Sequence, residues 1–94
     1  MPGNSDEVAE AAITLAGDLH ARPAGSIAVA AARFRATVEL AAGDARADAK
    51  SVLAVMALGA TTGKRVVVRA TGPDAPDAVA ALIEILAAAT LVGG

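Results

Sequence analysis

Cysteine, tryptophan and tyrosine are absent from this chain, and phenylalanine and histidine occur once each. Without thiols there are no disulfides, iron–sulfur clusters or thiolate zinc sites. A single imidazole excludes a centre built on several histidine ligands. No metal and no cofactor are expected. The missing thiols fit a reducing compartment, and a cytoplasmic location is expected. With Phe34 as the one aromatic, a stacking platform for single-stranded nucleic acid is lacking. A formal net charge of −2 with no basic run gives no footprint for a nucleic-acid backbone. Long apolar runs are also scarce: the longest, Ala78 to Val92, holds 15 residues and is interrupted by Glu84, against about 20 for a spanning helix. It reads as a helix with a buried face, so membrane insertion is not expected. Met1 to Glu10 is polar and acidic, unlike a signal peptide.

What is present is aliphatic. Ala, Val, Leu and Ile supply most of a 55% hydrophobic fraction in 94 residues, enough for one domain with a modest core. Met1 to Asp6 reads as a loose tail, and the domain is expected over residues 9–90, flanked by tails at 1–8 and 91–94. From Ala9 the pattern has period two, with Ala9, Ala11, Ile13 and Leu15 on one face of a half-buried strand; Ala16, Gly17 and Asp18 break it. Pro23 suits the first position of a helix, expected to run to about Arg33 with Ala24, Ile27, Ala31 and Phe34 as its core stripe. Thr37 to Ala41 and Arg46 to Asp48 read as a hairpin around Gly43-Asp44. Ser51 can cap a helix over Val52 to Leu58 that stops at Gly59. Thr62-Gly63-Lys64 is a turn, and Arg65 to Thr71 is the clearest strand. Asp74 or Ala75 is expected to cap a last helix with Pro76 and Asp77 in its first turn and Val79, Leu82, Ile83 and Leu86 on its apolar face. The order is β-α-β-β-α-β-α, an α+β arrangement with helices on one face of a mostly antiparallel sheet.

His20 falls between the first strand and the first helix. A helix start offers unpaired amides and the positive end of a dipole to an anion, Arg22 adds a fork-shaped phosphate donor, and a neutral imidazole is a nucleophile near physiological pH. On position alone, a lone loop histidine is more often an ordinary polar surface residue. The helix expected over Val52 to Leu58 carries a surplus of apolar residues: Val52, Leu53, Val55, Met56 and Leu58 run almost all the way round. Val55 and Leu58 can face the core, which leaves Val52, Leu53 and Met56 as an apolar patch of the kind that marks a partner surface; fuller burial under a neighbouring loop is the alternative. Ser51 has a sufficient structural role as a helix cap.

Gly17-Asp18-Leu19-His20-Ala21-Arg22-Pro23-Ala24 resembles the phosphorylation motif of the histidine-containing phosphocarrier (HPr) family, and Lys50-Ser51-Val52-Leu53-Ala54-Val55-Met56-Ala57-Leu58-Gly59-Ala60 resembles the family's second signature, around a regulatory serine. Both stand in the right order, and the element order agrees from about Ala9 to Ala89. The resemblance implies an open-faced β-sandwich, a four-stranded antiparallel sheet covered on one face by three helices. It implies a bacterial carrier, acting with partner phosphotransferases rather than as an enzyme itself, that takes a phosphoryl group on Nδ1 of His20 from phosphoenolpyruvate-charged enzyme I. The group then passes to the A component of a sugar-specific enzyme II. Arg22, with the amides of Ala21 and Arg22, would hold the phosphate; Val52, Leu53, Met56 and Val29 would dock partners. In some members an HPr kinase/phosphorylase acts at the position of Ser51. A monomer is expected.

Two positions depart from the family pattern. Asp18 stands where a glycine is usual; a carboxylate there would favour a charged imidazole or orient the ring, and would repel phosphate. The first helix has no basic residue through Ala32, and Val29 takes an exposed position instead. These departures leave room for a dedicated branch, either a nitrogen-related phosphotransferase system or a phosphoenolpyruvate-dependent dihydroxyacetone kinase. A Ser51-regulated interaction protein, in which His20 is dispensable, is the reading from another class.

Overall fold

Alternation in four short segments produces a sheet with one wet and one dry face. The computed structural model describes residues 7–91; of the tails expected at residues 1–8 and 91–94, residues 1–6 and 92–94 lie outside them, while Val8 belongs to the first strand and Leu91 to the last helix. Strand β1 (Val8–Thr14) is followed by helix α1 (Ala21–Ala31), strands β2 (Thr37–Ala42) and β3 (Ala45–Asp48), helix α2 (Val52–Ala57), strand β4 (Arg65–Thr71) and helix α3 (Ala75–Leu91). The spatial order is β1-β4-β2-β3, with every pairing antiparallel. The dry face has a row formed by Ala11, Val68, Leu40 and Ala47, one residue per strand in register. The next row, on the opposite face, is Glu10, Arg69, Glu39 and Asp48. This is the period-two rule applied across a whole sheet.

Three helices cover the dry face. α3 lies along β1, β4 and β2, α1 packs on α3 and α2, and α2 rests on β3. Leu15, Ile27, Leu40, Leu82, Leu86 and four valines (38, 55, 66 and 68) are fully buried. Each such side chain contributes about 1.5–3 kcal/mol relative to exposure. Ala24, Ala31, Ala75 and Ala78 have no exposed surface; residues this small let helices approach closely where aromatics would hold them apart. Among the described residues no helix is long and apolar enough to cross a membrane.

Several boundaries differ from the sequence reading. β1 starts at Val8 and Leu15 continues its pattern, buried and bonded from its amide to Lys64 O at 2.9 Å. α1 begins at Ala21, so Pro23 occupies its third position rather than its first. A proline is tolerated there because amides of the first turn have no intrahelical acceptor. α1 also stops earlier than Arg33, and Phe34 sits beyond it, half-buried in the bend before β2 rather than on a helical stripe. Asp74 precedes α3 and its carbonyl accepts from the Ala78 amide at 2.9 Å. Its carboxylate, expected to cap α3, instead accepts from the amides of Arg35 (2.9 Å) and Ala36 (2.8 Å). Gly72 stands beside it with φ at +146°, and a Cβ there would lie 2.7 Å from the Ala36 Cα. The turn after β4 thus clamps the bend after α1.

Candidate functional site

The opposite end of the sheet carries His20. β1 runs out at Thr14, and the chain crosses to α1 through residues 15–20, beside the loop that joins α2 to β4. Backbone bonds hold the two loops together: Leu15 N to Lys64 O at 2.9 Å, Gly63 N to Leu15 O at 2.9 Å, and Leu19 N to Ala60 O at 3.0 Å. Leu19 is buried, which anchors the residue just before the imidazole. Gly59, with φ at +63°, ends α2 in the left-handed conformation and turns the chain towards the Ala60 carbonyl that receives Leu19.

His20 is the N-cap residue of α1, with extended dihedrals (φ −102°, ψ −166°). It is exposed and makes no side-chain capping bond. Its own amide donates to Asp18 O at 3.2 Å, and its carbonyl accepts from the Ala24 amide at 3.0 Å. Pro23 has no N–H, so Ala21 and Arg22 carry the two first-turn amides ahead of that first helical bond, the unpaired donors of a helix start. An anion at this end meets amides aimed outward and the positive end of the dipole. Arg22 is exposed. Its side chain lines a surface groove of about 530 Å³ between α1 and α3, with Ser26, Val29, Arg33 and Ile85 among the other walls.

Asp18 is not idle. Its Oδ1 accepts from the Thr62 amide at 2.8 Å and from the Thr62 hydroxyl at 2.9 Å, across 44 positions of chain. The Thr62 amide and then its hydroxyl hold the Asp18 carboxyl below the usual carboxylate range; slight burial opposes them, and the charge of protonated His20 adds a smaller push downward.

The other proposed residues fall where the sequence reading put them. Val29 is 63% exposed, Leu53 79%, Met56 40% and Val52 37%, while Val55 is fully buried. Ser51 is half-buried at the start of α2, where its Oγ accepts from the Ala54 amide at 3.1 Å. Two residues were missed. Thr62 carries no local signal, because only the fold brings it to Asp18. Arg33 falls beyond the end of α1, yet it shares a groove with Arg22; continuing the helical spacing from Arg22 and Val29 would have found it.

A family described as the PTS HPr component phosphorylation site matches residues 8–88. The chain belongs to the HPr family. HPr from Mycoplasma capricolum is 33% identical over 76 residues, covering 81% of this chain and 85% of the relative. A solved mycoplasma histidine-containing phosphocarrier superposes with a TM-score of 0.79 at 32% identity, over 94% of this chain and all of that one. A multiphosphoryl transfer protein of Xanthomonas campestris is 47% identical over 58 residues, 62% of this chain but only 7% of that larger protein. The open antiparallel sheet with three helices is the HPr architecture. The chain is therefore an HPr phosphocarrier of the phosphotransferase system, a carrier rather than a catalyst.

Proposed function

We propose that His20 is the phosphoryl acceptor, reacting through Nδ1, with phosphoenolpyruvate-charged enzyme I as donor and the A component of a sugar-specific enzyme II as acceptor, in the cytoplasm. The observation that carries this reading is the exposed His20 at the N-cap, its ring free of any capping bond, beside the outward amides of Ala21 and Arg22. In the transfer, the Nδ1 lone pair of a ring protonated on Nε2 attacks phosphorus as the phosphorus–nitrogen bond to the donor imidazole breaks. The donor ring, protonated on its other nitrogen, leaves neutral. One such bond replaces another, and no co-reactant is consumed. Arg22 and the two amides receive the phosphoryl oxygens. Val52, Leu53, Met56 and Val29 form the apolar surface against which partners dock.

Incubation with phosphoenolpyruvate and enzyme I from the same organism, followed by mass spectrometry at neutral and acid pH, is expected to show one acid-labile phosphoryl group. His20→Ala should remove it. Phosphate persisting on that variant would sink the carrier role of His20.

The dedicated-branch reading is favoured by one observation, a carboxylate fixed by Thr62 two residues before His20, at a position where the HPr motif resembled by this segment usually has glycine. A panel of candidate acceptors, sugar-specific and otherwise, separates the two by which one drains phosphoryl from the charged protein. Ser51, a half-buried residue at the start of α2, is proposed as the regulatory phosphorylation site. A kinase extract that labels His20→Ala but not Ser51→Ala would support that assignment.

A further inference from the structure

We propose that Asp18, pinned by Thr62, sets the phosphoryl-transfer potential of His20 by holding a negative charge beside the phosphoryl group. The proposal rests on the carrier reading above. Its Cα lies within about 7 Å of that of His20, the reach of two residues of chain. The His20 amide donates to the Asp18 carbonyl, so the two are coupled through one tight turn. A carboxylate on an exposed loop normally samples many rotamers and much of its field averages into solvent. Here Oδ1 is fixed by two donors from one residue, at 2.8 and 2.9 Å, so the charge keeps one place.

The effect has a defined sign. Free neutral imidazole has no quarrel with a neighbouring carboxylate. Phosphohistidine carries two negative charges on the phosphoryl oxygens and one positive charge on the ring that keeps its Nε2 proton, so phosphorylation makes the site more negative by one charge, with the negative part outermost. Asp18 therefore raises the charged carrier in free energy and leaves the uncharged one nearly alone. Arg22 and the helix start pull the other way. The balance between them sets how readily the group leaves for the next acceptor. The phosphorus–nitrogen exchange itself is unchanged, with bonds and protons accounted for as above. Where glycine takes this position the opposing charge is missing, so this chain should bind its phosphoryl group less firmly than an otherwise equal carrier with glycine there.

The test compares two carriers in one tube. Wild type is mixed with an equal amount of ¹⁵N-labelled Asp18→Asn, a catalytic quantity of enzyme I and limiting phosphoenolpyruvate. After phosphoryl exchange reaches equilibrium, mass spectrometry at neutral pH reads the charged fraction of each. Asn keeps an oxygen acceptor for Thr62 and removes only the charge. Asp18→Asn is expected to hold about two to five times the phosphoryl of wild type at low ionic strength, with the ratio falling towards one as salt screens the charge. Thr62→Val, which retains the amide donor, should show a smaller surplus. Equal sharing at low salt, a surplus on wild type, or a surplus that ignores salt overturns the proposal and leaves the carrier reading standing. If enzyme I charges neither protein, the carrier reading fails and this inference falls with it.

Discussion

Two aspartates tie loops together at opposite ends of the same sheet, and they do so in different ways. Asp74 spends both carboxylate oxygens on the amides of Arg35 and Ala36. Asp18 takes both of its bonds on Oδ1, from a single residue, Thr62. The first arrangement satisfies backbone donors that would otherwise face a half-closed bend, and Gly72 presses the same bend from the side. The second leaves Oδ2 without a protein donor among the described residues, and its partner is an exposed loop. Both carboxyls are held below the usual carboxylate range, Asp74 mainly by the Arg35 amide and Asp18 mainly by the Thr62 amide. A depressed acid constant thus does not separate a structural clamp from a charge placed for function. What separates them is what else stands nearby: an imidazole in one case and packed backbone in the other.

The comparison can be broken most severely at Gly72. Gly72→Ala puts a Cβ 2.7 Å from backbone at a positive φ, and should cost about 2–4 kcal/mol and lower the melting temperature by roughly 10 °C or more. The folded fraction should still accept phosphoryl normally. A loss of acceptance in that fraction would mean the two ends are coupled.

Asp74→Asn comes next. One amide hydrogen pair must then face a backbone N–H, so one of the two bonds is lost and the melting temperature falls measurably, with phosphoryl acceptance unchanged. The pH dependence follows from the direction of the shift. A carboxyl with a folded-state value below its unfolded value, near 3.9, contributes stability that is fully present above that value and is lost as pH falls through the folded one. Acid titration of wild type should therefore show stability declining below about pH 4, and Asp74→Asn should show a shallower decline over the same window. Parallel curves would show that Asp74 is not the group responsible.

Asp18→Ala is expected to be milder in stability than Asp74→Asn, since backbone bonds from Leu15, Leu19 and Gly63 still join the two loops. A melting temperature lowered as far as that of Asp74→Asn would make Asp18 a clamp like the other. Met56→Asp should be the least disturbing of all. At 40% exposure the new charge meets water, and the change in stability should stay below about 0.5 kcal/mol. Transfer from enzyme I should slow nonetheless, because docking would bury that charge unpaired. An unaltered transfer rate with an intact fold removes Met56 from the docking surface.

The contrast between the two ends also marks how far local pattern reached. Arg65 to Thr71 was legible to the residue because three consecutive valines flanked by arginines leave one choice of strand and face. Ser51 was legible because capping is settled within four residues. His20, Arg22 and the amides between them form a continuous stretch, so the centre of the site could be read along the chain. Pro23 was displaced by two positions because the whole first turn tolerates a missing N–H, and Phe34 left its expected stripe because α1 ended before it. Asp74 was assigned to the helix it precedes, where acids are common, and its carboxylate turned to a bend almost forty residues earlier. Thr62 was out of reach for the same reason: the partner of a polar side chain across 44 positions is decided by topology, which periodicity does not encode.

The place of β4 between β1 and β2 also governs the order in which the molecule comes together. Val8 pairs with Thr71, and Thr14 with Arg65, so the first strand of the domain has no neighbour until a strand at residues 65–71 has followed it. Distant pairing of this kind must bear loop-closure entropy before any contact repays it, and folding slows accordingly. The β2–β3 hairpin can close early on its own short turn. The segment bearing His20 cannot, because Leu15 and Leu19 wait for residues 60–64. Within this domain it precedes the residues that secure it by about forty positions, and a chain interrupted after β3 would carry the imidazole on an unanchored loop.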